Sequence, residues 1–132
     1  MTAVYASLAP DAVGWAVSAL NPKLTPPVGG RVPNGADSFV RVQRTGGGDG
    51  SKVSDLPQLT FECYAGDDAA AAELANLCRA HLKALVGSTL DGITCYRVNA
   101  AGVSDRPDPR SPELSRYAFT AEIHLRNAIM EV

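Results

Sequence analysis

Two strand-like runs, SFVRVQRT and PQLTFECYA, fall within residues 38–65 and flank the insert GGGDGSKVSDL. Alternating runs this close in sequence satisfy their backbone groups most directly by pairing antiparallel, as a hairpin. In the first run Val40 and Val42 share one face, and Phe39, Arg41 and Gln43 share the other. In the second, Leu59, Phe61 and Cys63 are the apolar side, while Thr60, Glu62 and Tyr64 point the opposite way. This pattern brings Glu62 within cross-strand reach of Arg41. Gly46, Gly47, Gly48 and Gly50 make the insert read as a mobile hairpin tip. Glycine loses more freedom on ordering than other residues, so such a tip is expected to order when a partner fixes it.

Punctuation by proline and glycine divides the rest of the chain. A first helix is expected from Pro10 to Asn21, with Val13, Val17 and Leu20 as its apolar stripe. Trp15 projects away from that stripe, and two destinations are open for it: a neighbouring subunit, or the N-terminal segment containing Tyr5 and Leu8. Residues 21–37 read as a connecting arm in which only Arg31 and Val32 resemble an extended piece. A second helix opens at Asp67 and Asp68, runs through AAAAELANL and stops near Gly87. Its expected apolar arc holds Ala70, Leu74, Leu77, Cys78, His81, Leu82 and Leu85, with His81 a neutral core or interface histidine. Residues 93–98 and 114–126 form two further strands, and the Pro-rich stretch between them reads as a second projecting loop. The expected architecture is one α+β domain over residues 1–132, a mixed and roughly four-stranded sheet packed by two helices, with long hairpin loops. Its second sheet face, bearing Thr60, Glu62, Tyr64, Thr120, Glu122, His124 and Arg126, is polar enough for solvent and patterned enough for a partner.

Chemistry is sparse by comparison. The formal net charge of -2 supplies no broad attraction for polyphosphate. The N-terminus lacks a basic start of the secretory kind, no apolar run reaches the roughly 18–20 residues that span a bilayer, and a cytoplasmic site of synthesis is expected. Cys63, Cys78 and Cys95 are widely spaced in apolar patterns and are expected as reduced, buried thiols. Cys78 and His81 share a helix face, yet two further ligands at suitable spacing are missing, so no metal is expected. The segment GGGDGSK leads into a strand rather than a helix and lacks the Lys-Ser or Lys-Thr ending of a phosphate-binding loop. No GxSxG elbow is present, and neither His81 nor His124 has a nucleophile beside it in sequence. Asp67 with Asp68 suits a helix start, and Asp105 with Asp108 suits a turn. Neither a catalytic residue nor a cofactor is expected.

The order and spacing of these segments resemble the tail terminator proteins of long-tailed bacteriophages, especially those of actinobacteria. A short helix is followed by a Pro-rich arm, then FVRVQRTGGG, LPQLTFECYA, the helix DDAAAAELANLCRAHLKAL and finally DRPDPRSPELSRYAFTAEIHLR. The resemblance covers most of the chain, and it lies in the succession of motifs more than in any one of them.

That resemblance implies a virion structural protein that is not an enzyme. It would form a hexameric ring on the head-proximal end of the tail tube, stop tube polymerisation and face a head-completion or stopper protein. It would assemble in the host cytoplasm, meet no membrane and let double-stranded DNA pass through its lumen, for which weak phosphate contacts suit a near-neutral subunit. Ring closure needs two different adhesive surfaces on each subunit. The candidates are Trp15 on the outward side of the first helix; Arg41, Glu62, Glu122 and Arg126 on the polar sheet face; and Gly46, Gly47, Gly48, Asp49, Lys52 and Asp55 in the hairpin tip. Alternatives are another neck protein such as a head–tail stopper, or a small-molecule-binding regulatory domain whose glycine loop closes over a ligand.

Overall fold

The computed structural model describes residues 3–132. Its elements, in chain order, are β1 (Tyr5–Leu8), α1 (Ala12–Leu20), β2 (Val28–Gly29), β3 (Phe39–Ser51), β4 (Ser54–Ala65), α2 (Asp68–Lys83), β5 (Thr89–Leu90), β6 (Ile93–Ala100), β7 (Ser104–Asp105), β8 (Ser115–Arg126) and β9 (Ala128–Glu131). The class is α+β, with two helices and a strand-rich sheet. That sheet has seven strands rather than four: β2-β3-β4-β8-β6-β5 in order, with β7 added beside β8. The four long strands β3, β4, β8 and β6 are its antiparallel centre. A parallel pairing of β2 with β3 makes the sheet mixed. The surplus comes from two-residue strands too short to leave a period in sequence.

The hairpin tip differs from expectation. β3 continues through all its glycines to Ser51, and β4 begins at Ser54, so only Lys52 and Val53 form the turn. Backbone pairing requires no side chain, and the strands keep register through Gly46↔Gln58, Gly47↔Pro57 and Gly48↔Leu56. Irregularities fall between Arg44 and Gly46 and between Asp49 and Ser51, where extra residues bend the ribbon. Gly47 has φ +97°, and a Cβ there would lie 2.2 Å from the Leu56 carbonyl oxygen.

Both helices are capped by aspartate. The Asp11 side chain accepts from the Gly14 amide at 3.0 Å, and Asp67 accepts from Ala70 at 2.8 Å. α1 therefore starts at Ala12, two residues after Pro10. Its buried side is Ala12, Trp15, Ala16, Ala19 and Leu20, with Val13 and Val17 at the margins. Trp15 is 2% exposed in the core of its own chain, which corrects its assignment to an outward surface. The small alanines around it let the helix approach closely, so the indole fills the gap.

α2 buries Ala71, Leu74, Ala75, Cys78 and Leu82 against β4 and β8, while Ala70 and Leu77 are exposed and His81 is half-buried. The arc is rotated by a fraction of a turn from the expected one, which moves His81 from its centre to its margin. Beneath it Phe61 and Phe119 stack at 4.9 Å between ring centroids, joining β4 to β8 at the centre of the core. Each such fully buried ring contributes about 1.5–3 kcal/mol of transfer free energy. Among the described residues, the other face of the sheet carries no helix.

The stretch after β6 also departs from a projecting loop. β7 pairs with β8 through Ser104↔Ala118 and Asp105↔Tyr117, and residues 106–114 fold back onto the open sheet face. The chain ends meet as well: β1 and β9 form a separate two-stranded antiparallel ribbon.

Candidate interaction surface

On the helix-free face, strand register brings Arg41 of β3 opposite Glu62 of β4, and Tyr64 opposite Arg116 of β8. Glu62 is the hub. Its Oε1 accepts from Gln43 at 2.6 Å and Arg41 at 3.4 Å, and its Oε2 accepts from Arg116 at 2.6 Å. At 8% exposure the carboxylate is buried, and charge-assisted bonds to both oxygens offset its lost hydration. Arg116 stands 5.7 Å over the Tyr64 ring, donates to the Tyr64 hydroxyl at 3.3 Å and holds the loop through the carbonyls of Arg106 and Pro107.

Asp108 completes the latch by accepting from Tyr64 at 2.8 Å. The Arg110 backbone amide, then the Tyr64 hydroxyl, hold the Asp108 carboxyl below the ordinary carboxylate range. Burial, then the bond to Asp108, push the Tyr64 phenol up. Beside this network lies an open groove of about 760 Å³ lined by Arg41, Gln43, Glu62, Tyr64, Arg116 and residues 108–111. Three guanidinium groups (Arg41, Arg110 and Arg116) meet two carboxylates (Glu62 and Asp108), so the groove has an excess of one positive charge. Such a surface receives polar and acidic groups of a partner.

The candidate residues separate into distinct places. Arg41 and Glu62 form the expected cross-strand pair. Glu62, however, is buried and fully engaged within the chain, as is Asp55, which is 3% exposed and paired with Arg44 at 3.1 Å. Neither is free to meet a partner, because a strand position facing polar neighbours is covered when those neighbours reach across it. Gly46, Gly47, Gly48, Asp49 and Lys52 are exposed along the ribbon. Glu122 is exposed over a second, smaller crevice of about 260 Å³ with Arg97, Asn99 and His124. Arg126 is exposed and donates to the Tyr96 hydroxyl at 3.3 Å. Tyr64 stands on the polar face expected from sequence, whereas Asp108 and Arg116 are the participants that sequence reasoning missed. The Arg-Tyr step into the last strand was a visible signal, but Glu62 and Tyr64, the side-chain partners of its arginine, lie 54 and 52 residues away.

His124 does have a hydroxyl beside it: its Nε2 lies 2.7 Å from Ser54 Oγ, across 70 residues of sequence. Ser54 is 2% exposed and shares its hydroxyl with Ser51 at 2.7 Å, so the contact ties the turn of the ribbon to β8 and leaves no path for a substrate to the oxygen. Close approach requires Gly50, where a Cβ would lie 2.7 Å from His124 Nε2. Cys63, Cys78 and Cys95 are free and buried. Hydrogen bonding to Cys78 and burial push the Cys63 thiol well above the usual range, so it is not a reactive thiolate. Among the described residues no three of His, Cys, Asp and Glu are grouped to hold a metal ion, and no helix is long and apolar enough to cross a membrane. No family model and no curated protein matches the chain.

Proposed function

We propose that this chain is a tail terminator subunit of a long-tailed bacteriophage, forming a hexameric ring that caps the head-proximal end of the tail tube and receives the head-completion or stopper protein. The observation that carries the reading is the β3–β4 ribbon. From Gln43 to Ser51 the outer edge of β3 has no strand partner among the described residues, and its side chains from Arg44 onward are exposed. A free edge this long is an aggregation hazard unless an assembly uses or covers it. Main-chain donors and acceptors along it suit strand addition by a tube subunit, and the bends at the glycines limit pairing with arbitrary chains.

The polar groove supports the same reading, because it offers a second surface of different character on one subunit, as head-to-tail closure requires. The subunit's role is mechanical: it supplies rigid faces, and neither Ser54 nor the buried thiols are placed for chemistry. A subunit with a formal net charge of -2 supplies little attraction for DNA in the lumen, which suits passage over retention. The test is a phage lacking this gene. Tubes of uncontrolled length that fail to join heads are expected, and normal finished tails would refute the assignment.

A further inference from the structure

In the groove above Glu62 the acceptors are occupied and several donors are idle. Both Glu62 oxygens are taken by Gln43, Arg41 and Arg116, and the two Asp108 oxygens by the Tyr64 hydroxyl and the Arg110 amide. Arg116 is committed in the same way, to Glu62, Tyr64 and the carbonyls of Arg106 and Pro107. Arg41 is not: its one bond is the 3.4 Å contact with Glu62, its Nε is buried without a partner, and its side chain is 33% exposed. Arg110 is exposed, and among the described residues only its backbone amide is bonded. Two guanidinium groups with idle N–H groups in one groove suit a planar oxyanion, which accepts from such a fork through both oxygens. The excess of one positive charge matches a carboxylate better than a doubly charged phosphate.

A second crevice, of about 330 Å³, adjoins this one and shares Val32 and Ser111 as walls. Its charge is reversed. Asp37 and Glu113 line it, both exposed and neither paired among the described residues, and its lining holds no cation. The path between residues 32–37 and the loop 108–114 therefore runs from a site short of acceptors to one short of donors. A free anion would use one end alone. A nucleic acid strand, whose charge repeats at every phosphate, would meet like charge at Asp37 and Glu113. What matches both ends is an extended protein segment that carries a carboxylate and, a few residues along, a cationic side chain.

We infer that this two-part groove is a docking site for an extended segment of a partner protein, with an acidic side chain between Arg41 and Arg110 and a basic one beside Asp37 and Glu113. The inference gives the chemistry of the second surface proposed above, and the partner's place in a phage neck rests on that reading. The probes are capped tetrapeptides with glutamate and lysine at the ends and glycine between, in both orders, titrated into the millimolar range against isotope-labelled protein. One order is expected to shift the Arg110 and Glu113 amide signals saturably, and glutamine in place of its glutamate or of its lysine should weaken binding several-fold. Arg110→Gln, with unchanged circular dichroism, should erase the preference for glutamate over glutamine, and Glu113→Gln should reduce the preference for lysine. No saturable shift with either order, equal binding of the glutamine forms, or an unaltered response in Arg110→Gln would overturn the site. Tighter binding of inorganic phosphate or of a short DNA duplex would overturn its chemistry. Absent peptide binding alongside misjoined tails in the deletion phage would leave the terminator reading standing without this site. Saturable binding alongside normal tails would leave the reverse.

Discussion

Gly47 and Gly48 are adjacent in the same run and answer to different constraints. At Gly47 a side chain meets both a left-handed φ and the backbone of Leu56, Pro57 and Gln58, whereas at Gly48 nothing lies within 4 Å. Gly47→Ala is expected to destabilise the chain by about 1–3 kcal/mol in urea titration. Gly48→Ala should be neutral within about 0.5 kcal/mol, and equal losses at both positions would refute the geometry. Glu62→Gln keeps the shape of the hub while leaving Arg41 and Arg116 facing each other with less compensation. A loss of about 1–3 kcal/mol is expected by the same measurement, with little change for exposed Glu122→Gln. The Arg41–Glu62 pair was legible because strand alternation is local. Asp108 was not, since Tyr64 reaches it across 44 residues and no periodicity marks such a meeting. Trp15 was misplaced for a related reason: a stripe of alanines around one large ring has little hydrophobic signature, yet it is what packs.

At the scale of elements, the latch on residues 106–114 sets a pH dependence. Asp108 has a lowered folded value, so its contribution is present above the ordinary carboxylate range and is lost as pH falls through about 4 and below. Tyr64 has a raised folded value, so its contribution is present below about pH 10 and is lost as pH rises beyond that. Protection of the loop amides against exchange, relative to the intrinsic rate at each pH and reported by Arg106 and Arg110, should therefore be highest on a plateau between these limits. Tyr64→Phe keeps the stacking on Phe39, at 4.4 Å between centroids, and should lower that protection on the plateau and abolish its alkaline limb. Identical exchange in both proteins would remove the latch. α2 and β8 were legible at this scale, because a capped run of strong helix formers and five alternating apolar residues each declare their period. The glycine ribbon was not, since residues that favour loops also pair in a ladder when a neighbouring strand is already fixed by its own core face.

For the molecule as a whole, the three thiols report on the integrity of the core. Cys63 and Cys78 lie between α2 and the sheet, Cys95 lies on β6, and all are 0% exposed. A thiol reagent near pH 8 is expected to label none of them in the native protein and all three in denaturant, and rapid labelling before unfolding would contradict the packing. The overall class was legible from the succession of patterned segments, while the sheet's width and the joining of the chain ends arise only from contacts over long separations. One of those contacts shapes how the protein comes into being. β4 sits at the middle of the sheet, yet its second neighbour, β8, ends at Arg126. During translation the early hairpin and α2 must therefore wait, with Phe61 lacking Phe119, until β8 has been made. A nascent chain of this topology keeps its centre open until that strand emerges, so the ribosome exit and whatever holdase guards it become part of its folding environment.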